Sequence, residues 1–170
     1  MNEQLLGEYY ACVDDLLLSA PVLQMKNFVQ HGQTSCYDHC VYVSYCSFLI
    51  AKKLGCNARS AARGGLLHDL FLYDWHQKNE NGLRHGFTHP SAALRNAEFH
   101  FQLTDRERDI IKKHMWPLTL MPPRYKESYI VMLMDKYCAI NETIKWNRKR
   151  LRTLFARVER LCKSRAVVTR

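Results

Sequence analysis

A chain of 170 residues, 47% hydrophobic and 24% charged, is long enough to bury one core and short for two, so a single domain over residues 1–170 is expected. No apolar run approaches the roughly 20 residues that span a bilayer, and the opening MNEQLLGEYYACVDD is acidic where a signal peptide would be basic; both argue against a membrane role and for a cytoplasmic location. The net charge of +9 lies in the stretch from Lys145 to Arg170, where ten Lys or Arg face one acid, Glu159, while residues 1–144 carry fifteen of each sign.

In chain order the pattern reads as helices, with no strand alternation. Residues 3–18 form an amphipathic helix that stops before Ser19-Ala20-Pro21, and a short helical turn follows to about Gln30. His31-Gly32 breaks the chain. From about Ser35 to Leu54 apolar residues run nearly all the way round, the signature of a central buried helix, and Gly55 closes it. Asn57 caps the next helix, in which Gly64-Gly65 permits close backbone approach. A polar loop, HQKNENGLRHG, precedes a helix expected to start near Pro90. Thr104-Asp105-Arg106-Glu107 is a capping box for a helix ending around Met115. Pro117, Pro122 and Pro123 then force a loop before a long helix from about Arg124 to Ile144. The tail, KWNRKRLRTLFARVERLCKSRAVVTR, spaces Trp146, Leu151, Leu154, Phe155, Val158 and Leu161 as the apolar stripe of a basic amphipathic helix. Its cationic face is either simply solvated, the favoured reading, or attracts anionic substrates, nucleic acid or another protein. The fold class is thus all-α, a bundle of about seven helices. Seven cysteines without a Cys-x-x-Cys pair are expected to be reduced thiols.

Polar residues stand where this pattern asks for apolar ones. His68 and Asp69 lie in GGLLHDLFLYDWH, His39 on the buried helix, His89 near Pro90, His114 at the end of the capping-box helix, and Asp135 in YIVMLMDKYCAI. A buried carboxylate without a cation costs several kcal/mol, and Asp135 has no arginine within a helical turn. Four imidazoles and two carboxylates converging on a divalent cation would resolve both carboxylates at once. His100, in EFHFQL, is read instead as a core histidine bonded to backbone.

The order His39, His68-Asp69, Asp135 resembles the HD-domain superfamily of metal-dependent phosphohydrolases over about residues 31–145, and His89 and His114 fall where its dinuclear branch has extra ligands. That branch includes the HD-GYP phosphodiesterases and the bacterial HD-type enzymes that hydrolyse diadenosine tetraphosphate. This chain has no GYP triplet, carries Ser35 and Cys36 where many relatives have Arg or Glu, and has Leu72 and Asp74 after the dyad. The resemblance implies an HD-type helical domain in which His39, His68, Asp69 and Asp135 bind one ion and Asp69 bridges to a second held by His89 and His114. Two divalent transition metal ions (Fe, Mn, Co, Ni or Zn) suit such a nitrogen-rich set. They would activate a bridging hydroxide to hydrolyse a phosphate ester or anhydride of a nucleotide or small phosphorylated metabolite.

Arg63, Lys113, Arg124 and Lys136 are the basic candidates for holding the substrate phosphate. Asp74 or His85 would orient water or protonate the leaving group beside Asp69, with His76 equally placed as a loop histidine. The alternatives are a dinucleoside polyphosphate hydrolase and a non-catalytic nucleotide or nucleic-acid binding module.

Overall fold

The computed structural model describes residues 3–31, 34–72 and 85–143, together with 153, 154, 156–158 and 160. The helices are α1 (Glu3–Leu17), α2 (Ala20–Gln24) running into a 3-10 turn (Met25–Asn27), α3 (Cys36–Lys53), α4 (Ala58–Leu67), α5 (His85–His100), α6 (Asp105–Lys113) and α7 (Lys126–Thr143). The fold is all-α apart from one small antiparallel pair, β1 (Val29–His31) and β2 (Thr34–Ser35), where the sequence promised only a break. Strands of three and two residues are too short to carry a readable alternation.

Local chemistry sets the helix ends. Ser35 caps α3 by accepting from the Asp38 N–H at 3.1 Å, and Asn57 caps α4 by accepting from the Ser60 N–H at 2.9 Å. After α3 the chain turns through Gly55 at φ 65°, a left-handed conformation that glycine adopts without a Cβ penalty. The capping box of α6 is complete, with Thr104 and Glu107 each accepting the other's backbone N–H. Two boundaries differ from expectation. The helical turn before the hairpin ends at Asn27, short of Gln30, and α5 starts at His85, with Pro90 inside it. A proline in the second turn forfeits only the hydrogen bond to residue 86, which the rest of the helix outweighs.

The central position of α3 follows from the small residues facing it. A Cβ on Gly65 would stand 3.0 Å from Ser44 Cα, so α4 lies directly on the α3 backbone there. Ser44 seals this crossing, donating to Ala62 O at 2.6 Å and accepting from Tyr9 Oη at 3.1 Å. On the other side of α4, Gly64 makes room for Ile110 of α6. Helix α7 packs across both α3 and α6. The apolar core joins Tyr9, Leu16, Cys40, Phe48, Leu66, Leu70 and Ile111, and it takes in Leu154 and Val158 of the C-terminal stripe. The remaining tail positions named above, Trp146, Leu151, Phe155 and Leu161, lie outside the described residues. All six described cysteines are free thiols. Among the described residues no helix is long and apolar enough to cross a membrane.

Candidate metal centre

Helix α4 ends at His68, and the chain turns at once: Phe71 N–H bonds Asp69 O at 2.8 Å, and Leu72 takes φ 54°. A left-handed leucine costs about 1 kcal/mol or more, and Asn96 of α5 holds the turn by donating to Leu70 O at 2.7 Å. The dyad is thereby fixed between α3, α5, α6 and α7. His39, His68 and His114 are essentially fully buried, Asp69 and His89 nearly so, and Asp135 is the most accessible with 14% of its side chain exposed. The imidazoles form a chain of neighbours, with ring centroids 5.4 Å apart for His39 and His68, 4.9 Å for His68 and His114, and 4.9 Å for His114 and His89.

The contact atoms fall into two sets that share Asp69. In the first, His39 Nε2 lies 3.1 Å and His68 Nε2 3.6 Å from Asp135 Oδ1, and His68 Nε2 is 3.3 Å from Asp69 Oδ2. In the second, Asp69 Oδ1 is 3.3 Å from His89 Nε2 and 3.5 Å from His114 Nε2, and those two nitrogens are 2.8 Å apart. Atoms about 2.0 to 2.2 Å from a shared transition metal stand roughly 2.8 to 3.6 Å from one another in tetrahedral or octahedral arrangement. Both sets have that spacing. His68 Nε2 and Asp69 Oδ1 are moreover buried without a hydrogen-bond partner among the described residues, a costly state for two polar atoms unless a cation satisfies them.

The far side of each ring explains why Nε2 is the nitrogen turned toward the cluster. His68 and His114 cap the C-termini of α4 and α6, where the last carbonyls have no helical N–H partner. Each ring donates its Nδ1 proton to the carbonyl three residues back, His68 to Gly65 O at 2.8 Å and His114 to Ile111 O at 2.9 Å. His39 donates from Nδ1 to Glu142 Oε2 at 2.9 Å. In all three Nε2 is turned toward the cluster, the direction a metal ligand requires.

Electrostatically the cluster asks for positive charge. Burial disfavours a charged His39, yet hydrogen bonds to Asp135 and Glu142 push its pKa up to about 10. Burial likewise opposes ionisation of Asp69, but His68, His114 and His89 hold it well below the usual carboxylate range, and His39 and His68 do the same for Asp135. His114 is the contrast: burial and the neighbouring His68 and His89 lower its pKa despite Asp69. His114 therefore resists protonation and keeps its Nε2 open for a metal.

The family model described as HD domain matches residues 36–140, from the start of α3 through most of α7. The chain belongs to the HD domain family. The HD domain implies a superfamily of metal-dependent phosphohydrolases, in which HD domains bind divalent metals, and two groups here have the donors to hold one: His39, His68 and Asp69, and Asp69, His89 and His114. Comparison with curated proteins and with solved structures gives no match.

The basic residues named for phosphate do not converge on this HD site. The Arg63 guanidinium is buried and pairs with Asp15 Oδ1 at 2.5 Å, Glu107 Oε1 at 3.2 Å and Cys12 O, tying α4 to α1 and α6. Five residues before His68 in sequence, it projects to another side of α4. Lys113 pairs with Asp109 at 2.7 Å, and the Arg124 guanidinium lies over the Tyr125 ring, 5.7 Å from its centroid. Lys136 alone borders the ligands, with Nζ donating to His114 O at 3.4 Å, and burial lowers its pKa against the pull of Asp135. His100, expected in the core, is exposed between Phe99 and Phe101. Asp74, His76 and the His85 side chain lie outside the described residues.

Two residues of the HD site carried no sequence signal. Gln30, on β1, donates from Nε2 to Asp69 Oδ2 at 2.5 Å, and Glu142 backs His39 from α7. The Oε1 atoms of Gln30 and Glu142 are buried without a hydrogen-bond partner among the described residues. Their targets are 39 and 103 residues away, beyond any local pattern.

Proposed function

We propose that this HD domain hydrolyses a phosphate ester or anhydride of a nucleotide or small phosphorylated metabolite at a two-ion site. One observation carries the reading: the two oxygens of Asp69 face different histidines, Oδ2 toward His68 and Oδ1 toward His89 and His114. A carboxylate so placed serves two cations. His39, His68, Asp69 and Asp135 would hold one ion and Asp69, His89 and His114 the other. Divalent ions so held supply an acidified water and a sink for charge building on phosphoryl oxygens.

The chain's own groups do the rest. Gln30 fixes the Asp69 carboxylate, and the carbonyls of Gly65 and Ile111 fix two rings, so the donors are aimed before any substrate arrives. Lys136, beside His114, is placed to take a non-reacting phosphate oxygen. Asp74 or His85, from the segment that follows the dyad, would give a proton to the leaving oxygen. The convergence of His89 and His114 also favours a second reading, a dinucleoside polyphosphate hydrolase, because those two histidines are what the resemblance to that branch rests on. The basic tail keeps a nucleotide or nucleic-acid binding module as the alternative from another class.

The test is metal analysis of the purified protein, followed by turnover on a panel of nucleotides, dinucleoside polyphosphates and simple phosphate esters with Mn, Fe, Co, Ni and Zn. Two ions per chain and metal-dependent phosphate release are expected. Zero or one ion with no release from any substrate would sink the hydrolase reading. Asp74→Asn or His85→Ala should lose turnover with metal content retained.

A further inference from the structure

We propose that Glu142 is a positioning residue that makes the His39 ion site the tighter of the two, so that the sites fill in a fixed order; this rests on the two-ion reading above. Asp135 and Glu142 lie seven residues apart on α7, two helical turns, and so project from the same face. The His39 ring sits between them, with Nε2 3.1 Å from Asp135 Oδ1 and Nδ1 2.9 Å from Glu142 Oε2. One helix thus grips both ends of one imidazole.

The partner behind His39 differs in kind from those behind the other rings. His68 and His114 donate to neutral backbone carbonyls, whereas Glu142 offers a carboxyl group with 1% of its side chain exposed. A buried carboxylate behind an imidazole raises the basicity of its ligating nitrogen more than a carbonyl does, and outer-shell partners of this type are typically worth about 10–100-fold in metal affinity. The two sites are already unequal in charge. The first takes Asp135 and one oxygen of Asp69, while the second has only the other oxygen of Asp69 with two histidines. Glu142 adds a third carboxylate to the richer side, so the His39 site draws the first ion and the His89–His114 site the second.

The experiment is a Mn²⁺ titration of the metal-free full chain against a competing chelator, for the wild type, Glu142→Gln and Glu142→Asp, with thermal melts of each metal-free protein. The amide of Glu142→Gln still accepts from His39 Nδ1 but carries no charge. It should weaken the tighter site by roughly 10–100-fold and leave the weaker site unchanged, with the metal-free melts showing how much stability the lost charge costs. Glu142→Asp keeps the charge beside the ring and should recover most of that loss. Equal weakening of both sites, or a lowered melt with unchanged affinities, would make Glu142 a structural contact and overturn the proposal. Two ions bound with wild-type affinities in Glu142→Gln would overturn it as well, while leaving the two-ion reading intact. A wild type that takes up no Mn²⁺ would overturn both.

Discussion

His89 Nε2 and His114 Nε2 stand 2.8 Å apart, although His114 has given its ring proton to Ile111 O and presents a lone pair at that point. Without a metal, a His89 N–H can donate to that lone pair; under the two-ion reading proposed above, both nitrogens would instead face one cation beside Asp69. Replacing either by alanine should therefore reduce the bound metal from two ions to one per chain. Turnover should fall by more than the roughly 10–100-fold typical of losing an outer-shell partner. Metal analysis and kinetics on the same preparations check this; two retained ions would remove these histidines from the site.

Metal removal should destabilise the fold. An ion present at about 100 times its dissociation constant adds about 2.7 kcal/mol, and for a chain of this length each kcal/mol moves Tm by about 2–4 °C. Chelation is thus expected to lower Tm by about 5–10 °C in a thermal melt, and re-addition of Mn²⁺ or Co²⁺ to restore it.

Arg63 should behave as a structural cation. Glu107 beside it is buried, so Arg63→Ala strands a carboxylate and is expected to cost about 3–5 kcal/mol in denaturant unfolding. The folded protein should keep its kcat/KM for any phosphorylated substrate. A drop in kcat/KM with unchanged stability would return Arg63 to the substrate.

At Gly65 packing and ligand geometry meet. An alanine Cβ there would stand 3.0 Å from the Ser44 backbone, which cannot rotate away as a side chain can. Overpacking of this kind costs about 1–3 kcal/mol. Because Gly65 O also orients His68, Gly65→Ala should weaken metal binding together with stability, a pairing that calorimetric melts and metal titration read separately.

Acid should act through the contact between α6 and α7. Burial raises the pKa of Asp109, but Lys113 at 2.7 Å, Ser128 at 2.7 Å and the Arg124 N–H at 2.9 Å outweigh it and hold the carboxyl below its ordinary value. Burial is likewise outweighed at Glu127, by the Asn57 N–H at 2.7 Å and by Arg106 at 3.0 Å. A carboxyl with a lowered folded pKa binds fewer protons folded than unfolded. Its contribution is therefore complete above the unfolded value of about 4 and is lost as pH falls toward the folded one. Denaturant unfolding of the metal-free protein from about pH 5 to 3 should show a shallower loss in Asp109→Asn than in the wild type.

What the sequence revealed and what it hid divide along one physical line. Caps and breaks are local chemistry, so Asn57, Gly55 and the Thr104–Glu107 box could be read directly, and each ends or begins a helix in the structure. The four histidines and two aspartates stood out because each interrupts an apolar pattern, and the fold brings all six together. Glu142 and Gln30 interrupt nothing; each sits near the end of its element, and only tertiary packing gives it a partner. Arg63 illustrates the converse, since closeness to the dyad along a helix says nothing about the side on which a guanidinium emerges. His100 stands at i+7 and i+3 from buried Ala93 and Ala97, on the face where helical periodicity expects burial, but it is the last residue of α5 and is exposed, which a local pattern does not foresee.

The path of the chain through the site also sets a timetable. His39 and Asp135 are 96 residues apart, and a ribosome adding roughly 5–20 residues per second needs about 5–20 s to pass from one to the other. For the later two thirds of that interval, after residue 69, the nascent polypeptide holds the His68-Asp69 pair without the helix that completes its surroundings. Under the two-ion reading, the ion held by His39, His68, Asp69 and Asp135 would accordingly be acquired only after α7 emerges, whereas Asp69, His89 and His114 are all present before it.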